Sequence, residues 1–119
     1  MKRLVVACGV VLGGCGTTDD DRPQTLENVT LAILSPSCGN AQCHSSFRQA
    51  DGYAFDTVAA AKKSIEQGGL VVEGDGETSQ LYIVLRRTVD RMPYDQPLPE
   101  PDIQFIKTWI DNGADGVEP

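Results

Sequence analysis

Aromatic side chains are scarce, at 6% of the 119 residues. A domain this small needs bulky apolar groups to fill a core, so the shortage leaves room for something other than side chains. Basic residues are also few, 10 against 17 acidic, for a net charge of -7 and a pI near 4.5. That balance excludes the electrostatic footprint of a nucleic-acid or anionic-membrane surface and favours basic partners. No apolar run approaches the roughly 20 residues that a transmembrane helix needs; the stretch from Leu4 to Leu12 has nine. Hydrolase nucleophiles, phosphate-binding loops and placed carboxylate pairs are missing, as are internal repeats. There is one histidine, His44, and the methionines are Met1 and Met92. The length fits one domain.

The first residues read as an export signal: positive at Lys2 and Arg3, apolar to Leu12, then Gly13, Gly14 and Cys15. Leu12-Gly13-Gly14-Cys15 resembles the bacterial lipobox, in which the cysteine sulfur takes a diacylglycerol and becomes the mature N-terminus. The alternative is an ordinary secretory peptide that leaves Cys15 as a free thiol. Removing residues 1–14, which carry Lys2 and Arg3, leaves 8 basic against 17 acidic residues and a net charge of -9. Cys8 goes with the signal and Cys15 carries lipid, so Cys38 and Cys43 are the cysteines of the folded domain. Residues 15–24 are polar and aperiodic, a flexible tether, and the domain is expected over residues 25–117.

Within it the patterning predicts about four short helices. The first covers residues 26–34 and is expected to stop at Ser35-Pro36. A polar loop follows over residues 38–46. The second helix covers 57–67, closed by Gly68-Gly69; residues 70–72 stay extended. Thr78 or Ser79 caps a third helix over 80–87. Four prolines between Arg91 and Pro101 force a fixed, extended loop with Met92 at its start. The last helix opens at Glu100-Pro101-Asp102, closes at Asn112-Gly113, and carries Ile103, Phe105, Ile106, Trp109 and Ile110 inward. The fold class is all-α with long ordered loops, of the kind that wrap something.

The chemistry lies in Cys38-Gly39-Asn40-Ala41-Gln42-Cys43-His44. In covalent haem attachment two thiols add across the haem vinyl groups, and the histidine directly after the second cysteine becomes the proximal ligand. The usual spacing is C-x-x-C-H; here four residues separate the cysteines, but the Cys-His adjacency is kept. Met92, in the charged and proline-flanked stretch from Asp90 to Tyr94, is an odd place for an apolar thioether unless something apolar or metallic receives it. An intrachain bis-histidine haem is impossible with one histidine. Three plainer readings stay open: a Cys38-Cys43 disulfide, a zinc or copper site on Cys38, Cys43, His44 and Met92, and Met92 as an ordinary loop methionine. Arg86 and Arg87 could pair with a propionate, or simply favour the end of a helix.

Together, the segment from Cys38 to His44, the loop Arg91-Met92-Pro93 and the ending from Ile103 to Ala114 resemble a small monohaem class I cytochrome c domain of a bacterial lipoprotein, of planctomycete or myxobacterial type. The turn from Gly74 to Tyr82 is similar too. The resemblance covers roughly residues 26–115. It implies a class I cytochrome c-like fold with the final helix packed across the first, one haem c on Cys38 and Cys43, and His44 and Met92 as axial ligands of the iron. The expected function is single-electron transfer in the cell envelope, without enzymatic chemistry, at a potential above that of bis-histidine haems. The expected setting is a lipid anchor at Cys15 facing the periplasm, with the outer membrane favoured because Gly16 is not aspartate. The redox partner should present a basic docking face. The rival from another class is a non-catalytic envelope lipoprotein whose Cys38 and Cys43 form a disulfide. A third reading is a small peroxidase in which Met92 leaves the iron.

Overall fold

Pro36 decides the shape of the first helix. Proline offers no N–H and its ring strikes the carbonyl four residues back, so a regular α-helix cannot run through it. The sequence therefore predicts a stop at Ser35-Pro36, but in the computed structural model, which describes residues 21–117, the helix continues. It passes from an α-helical turn, Leu26–Val29, into a π turn, Thr30–Leu34, and on to Ser35–Cys38. In the π turn Ser35 N–H donates to the Thr30 carbonyl, one residue further back than in an α-helix. Pro36 thus falls in the first turn of the last α segment, where its missing donor costs least. As a result Cys38 closes a rigid helix instead of opening a loop.

Three further helices follow: the second over Val58–Gly68, the third over Gln80–Arg86 and the last over Glu100–Asp111. A short 3-10 turn, Ala50–Gly52, lies between the cysteine loop and the second helix. Thr57 caps the second helix, its hydroxyl accepting from Ala60 N–H at 3.1 Å, and Gly69 ends it at φ +59°. Ser79 holds the N-cap position of the third helix but does not cap it. Its buried hydroxyl donates to the Asp75 carbonyl at 2.7 Å and accepts from Val72 N–H at 2.9 Å, which fixes the extended stretch over residues 70–72. The described residues are all-α, with helices and no strands. Among them no helix is long and apolar enough to cross a membrane.

All four helices feed one apolar core. The second packs on the first and the third on the last. First and last are pinned at the Asp115 carbonyl, which accepts from Leu26 N–H at 2.8 Å and from Trp109 Nε1–H at 3.1 Å. Arg22, in the expected tether, reaches Asp102 at 3.0 Å and lies 4.3 Å from the centre of the Phe105 ring. Gln24 accepts from Asn112 at 2.6 Å. Contacts with the last helix thus begin three residues before the expected domain start. The expected signal peptide (1–14), Cys15 and residues 16–20 lie outside the described residues.

Trp109 is fully buried and holds that junction. Trp109→Ala should destabilise the domain by about 3–5 kcal/mol, read as a lower urea midpoint in equilibrium unfolding.

Candidate haem cleft

His44 sits in a bracket of backbone bonds. Its N–H donates to the Cys38 carbonyl at 3.0 Å, and its own carbonyl accepts from Phe55 N–H at 2.7 Å. The ring is buried, with Nδ1 3.3 Å from the Tyr53 carbonyl. A carbonyl only accepts, so Nδ1 carries the proton and Nε2 keeps its lone pair. Phe55 meets the imidazole edge-on, centroids 5.4 Å apart at 71°, and Tyr53 flanks it at 6.2 Å. Tyr53 and Phe55 are two apart on an extended strand-like stretch, so both side chains fall on one side. That alternation was the available signal for two site residues that cysteine and histidine spacing does not reveal.

The loop carrying His44 is fastened from behind. Ser46 donates its N–H to Asp56 Oδ2 at 2.8 Å and its hydroxyl to Oδ1 at 2.7 Å. These bonds, the backbone one first, hold the Asp56 carboxyl below its ordinary value. The stabilisation is therefore present above the ordinary carboxylate range and is lost as pH falls through the lowered value. Gly39 is required where the loop leaves Cys38, since a Cβ there would lie 2.8 Å from Asp56 Cα.

Cys38 and Cys43 are both free thiols. Burial pushes the Cys38 thiol up to about 11, and the neighbouring Cys43 adds to the shift. Both cysteines, His44 and Met92 line one cleft. It consists of two adjoining cavities of about 480 and 530 Å³ that share Cys38, His44, Asp51, Met92 and Tyr94. Phe55, Leu70, Leu81, Val84 and Leu85 give the first an apolar wall, while Cys43, Asn40 and Arg48 border the second. Met92 is carried in by a reversal at Asp90, φ +55°, after which its N–H donates to the Val84 carbonyl at 2.9 Å.

Arg86 and Arg87 part ways. Arg86 forms a forked pair with Glu100, at 2.7 and 3.0 Å, and donates to the Tyr82 hydroxyl, whereas Arg87 lines the cleft. Phe105 and Trp109 are buried in the core but line neither cavity. Among the described residues no three His, Cys, Asp or Glu side chains converge on one metal ion, which disfavours the zinc or copper alternative.

Residues 41–95, which hold Cys43, His44 and Met92 and leave Cys38 outside, match the family model described as planctomycete cytochrome C. The match supports a cytochrome c-like domain, a class that binds haem covalently and carries electrons. No curated protein and no solved structure matches the chain. The residues present fit that group. The cleft offers two thiols, an imidazole with a free Nε2, a soft thioether and an apolar wall. Next to Met92 in sequence, Arg91 Nε is buried without a partner and lacks an acceptor such as a propionate carboxylate.

In the haem-free protein the raised pKa should make Cys38 alkylate about 100-fold more slowly at pH 8 than an ordinary cysteine. Its rate should rise about tenfold per pH unit toward pH 11, and the difference should vanish in urea. Mass spectrometry of the alkylated peptides checks this.

Proposed function

We propose that the domain carries one haem c, linked through Cys38 and Cys43 with His44 and Met92 as axial ligands, and passes single electrons in the cell envelope. The observation that carries the reading is the held imidazole. Its Nδ1 is spent on the Tyr53 carbonyl inside a cleft that both cysteines and Met92 also line. When bound, the haem supplies a one-electron couple.

The chain's own residues set the conditions of that couple. The Tyr53 carbonyl fixes the tautomer of His44 and makes it a better donor. The Met92 thioether favours the reduced state, which raises the potential above that of a second imidazole. Phe55, Leu70, Leu81 and Leu85 keep water from the apolar wall, so little solvent reorganises when charge changes.

The setting belongs to the same proposal. A signal over residues 1–14, a diacylglycerol on Cys15 and a tether over residues 15–24 hold the domain at a membrane facing the periplasm, with the outer membrane favoured by Gly16. A mature charge of -9 steers it to a partner with a basic face, and salt slows the encounter.

A haem stain and pyridine haemochrome on boiled, reduced protein from a host with cytochrome c maturation should show two thioether links; a colourless protein, in a host that loads a C-x-x-C-H version of the same chain, refutes the reading. Met92→Ala should keep the haem, lose the far-red sulfur-to-iron band of the oxidised form and lower the midpoint potential by on the order of 100 mV. Cys15→Ser should release the protein from the membrane fraction and abolish labelling by radioactive fatty acid.

A further inference from the structure

The four-residue spacer between the cysteines poses a mechanical problem. Two more residues than in C-x-x-C-H give the loop extra freedom, yet Cys43 and His44 must be delivered to the same cleft as Cys38. The backbone bond from His44 to the Cys38 carbonyl closes the near end of the loop. The far end is closed by Asp56, and no spacing rule points to this residue.

Asp56 stands at a crossing of three elements. Its carboxylate takes both the N–H and the hydroxyl of Ser46, two residues after His44. Its carbonyl accepts from the Ser35 hydroxyl at 3.2 Å, in the last turn of the first helix. Its backbone packs under Gly39, where the spacer begins, and the next residue, Thr57, caps the second helix. The residue before it, Phe55, donates to the His44 carbonyl, and Tyr53 holds the ring. The stretch from Tyr53 to Asp56 therefore grips the histidine loop at the ring, at the backbone and behind.

We propose that Asp56 is a positioning residue for the axial histidine: through Ser46 it fixes the loop so that the imidazole presents one ring orientation to the iron. This rests on the haem reading above. Its carboxylate touches neither the ring nor the cleft; it acts by removing the freedom that the longer spacer introduces. Asparagine at this position keeps the volume but loses the charge and puts an NH2 donor where one carboxylate oxygen stood, so only one of the two Ser46 donors keeps its acceptor.

The test uses the full-length holoprotein and its Asp56→Asn, Ser46→Ala and double variants. In the oxidised state the paramagnetically shifted haem-methyl resonances report the ring orientation, and amide hydrogen exchange reports the loop. Both single variants should redistribute the methyl shifts in the same sense. They should also speed exchange at His44 and Ser46 by about tenfold while leaving Ile106 and Trp109 unchanged. The double variant should look like either single one, because both remove the same contact. Unchanged methyl shifts, or faster exchange spread equally over the last helix, would overturn the proposal and reduce Asp56 to general stability. If Asp56→Asn fails to accumulate, Ser46→Ala alone decides by the same readouts. A wild-type protein without haem would sink the reading on which this rests, a result distinct from a loaded protein with unmoved resonances.

Discussion

The hydrogen bond between His44 Nδ1 and the Tyr53 carbonyl governs the rest of the cleft. A neutral imidazole has one donor and one acceptor nitrogen, and whichever partner the donor finds decides where the lone pair points. Here the donor is taken by a backbone carbonyl, which cannot ionise and moves only with the chain. The ring is further hemmed in where Phe55 meets its edge, and the His44 carbonyl is itself held by Phe55 N–H. Tyr53 and Phe55 matter for their backbone as much as for their rings, and the extended path between them aligns two backbone groups with one histidine.

The same stretch explains why the first helix must not stop early. Were Cys38 in a loop, the bond from His44 N–H to its carbonyl would join two mobile segments and fix neither. The π turn over Thr30–Leu34 lets the helix absorb Pro36, at the position where its missing donor costs least, and reach Cys38. Gly39 then receives both helical ends, its N–H shared between the Leu34 and Ser35 carbonyls at 3.0 and 3.1 Å. One sulfur is thereby fixed by a helix and the other by a loop that returns to that helix.

Much of this was legible from residue types. Alanine, lysine and glutamate followed by paired glycines marked the second helix, and the isoleucines with Trp109 marked the last, because these signals act within a few residues of chain. The adjacency of Cys43 and His44 and the isolation of Met92 in a proline-rich loop named the cleft residues for similar reasons. The continuation past Pro36 was not legible, since the π turn is a register shift that tertiary packing selects. Neither was the turn of Ser79 away from its cap, because the competing partners, Val72 and Asp75, belong to a loop whose path is set elsewhere. The Asp56 clamp was invisible for the same cause: its partners, Ser46, Ser35 and Gly39, are 10 or more residues distant.

The shortage of aromatic residues finds its place in this arrangement. Core side chains from four helices meet round Trp109, and the buried Leu70, Leu81 and Leu85 also form one wall of the cleft, so the little surface they leave uncovered faces the cleft. An occupant that covers this wall contributes burial that the chain's own side chains do not supply. A dissociable occupant would stabilise the fold only in proportion to its concentration over its dissociation constant, and would leave the wall wet on dilution. Thioether links remove that dependence, because a covalent group has no free pool to be diluted into. On the proposed reading, thioether links to Cys38 and Cys43, which line the two adjoining cavities, would answer a folding problem of a small domain as well as an electronic one.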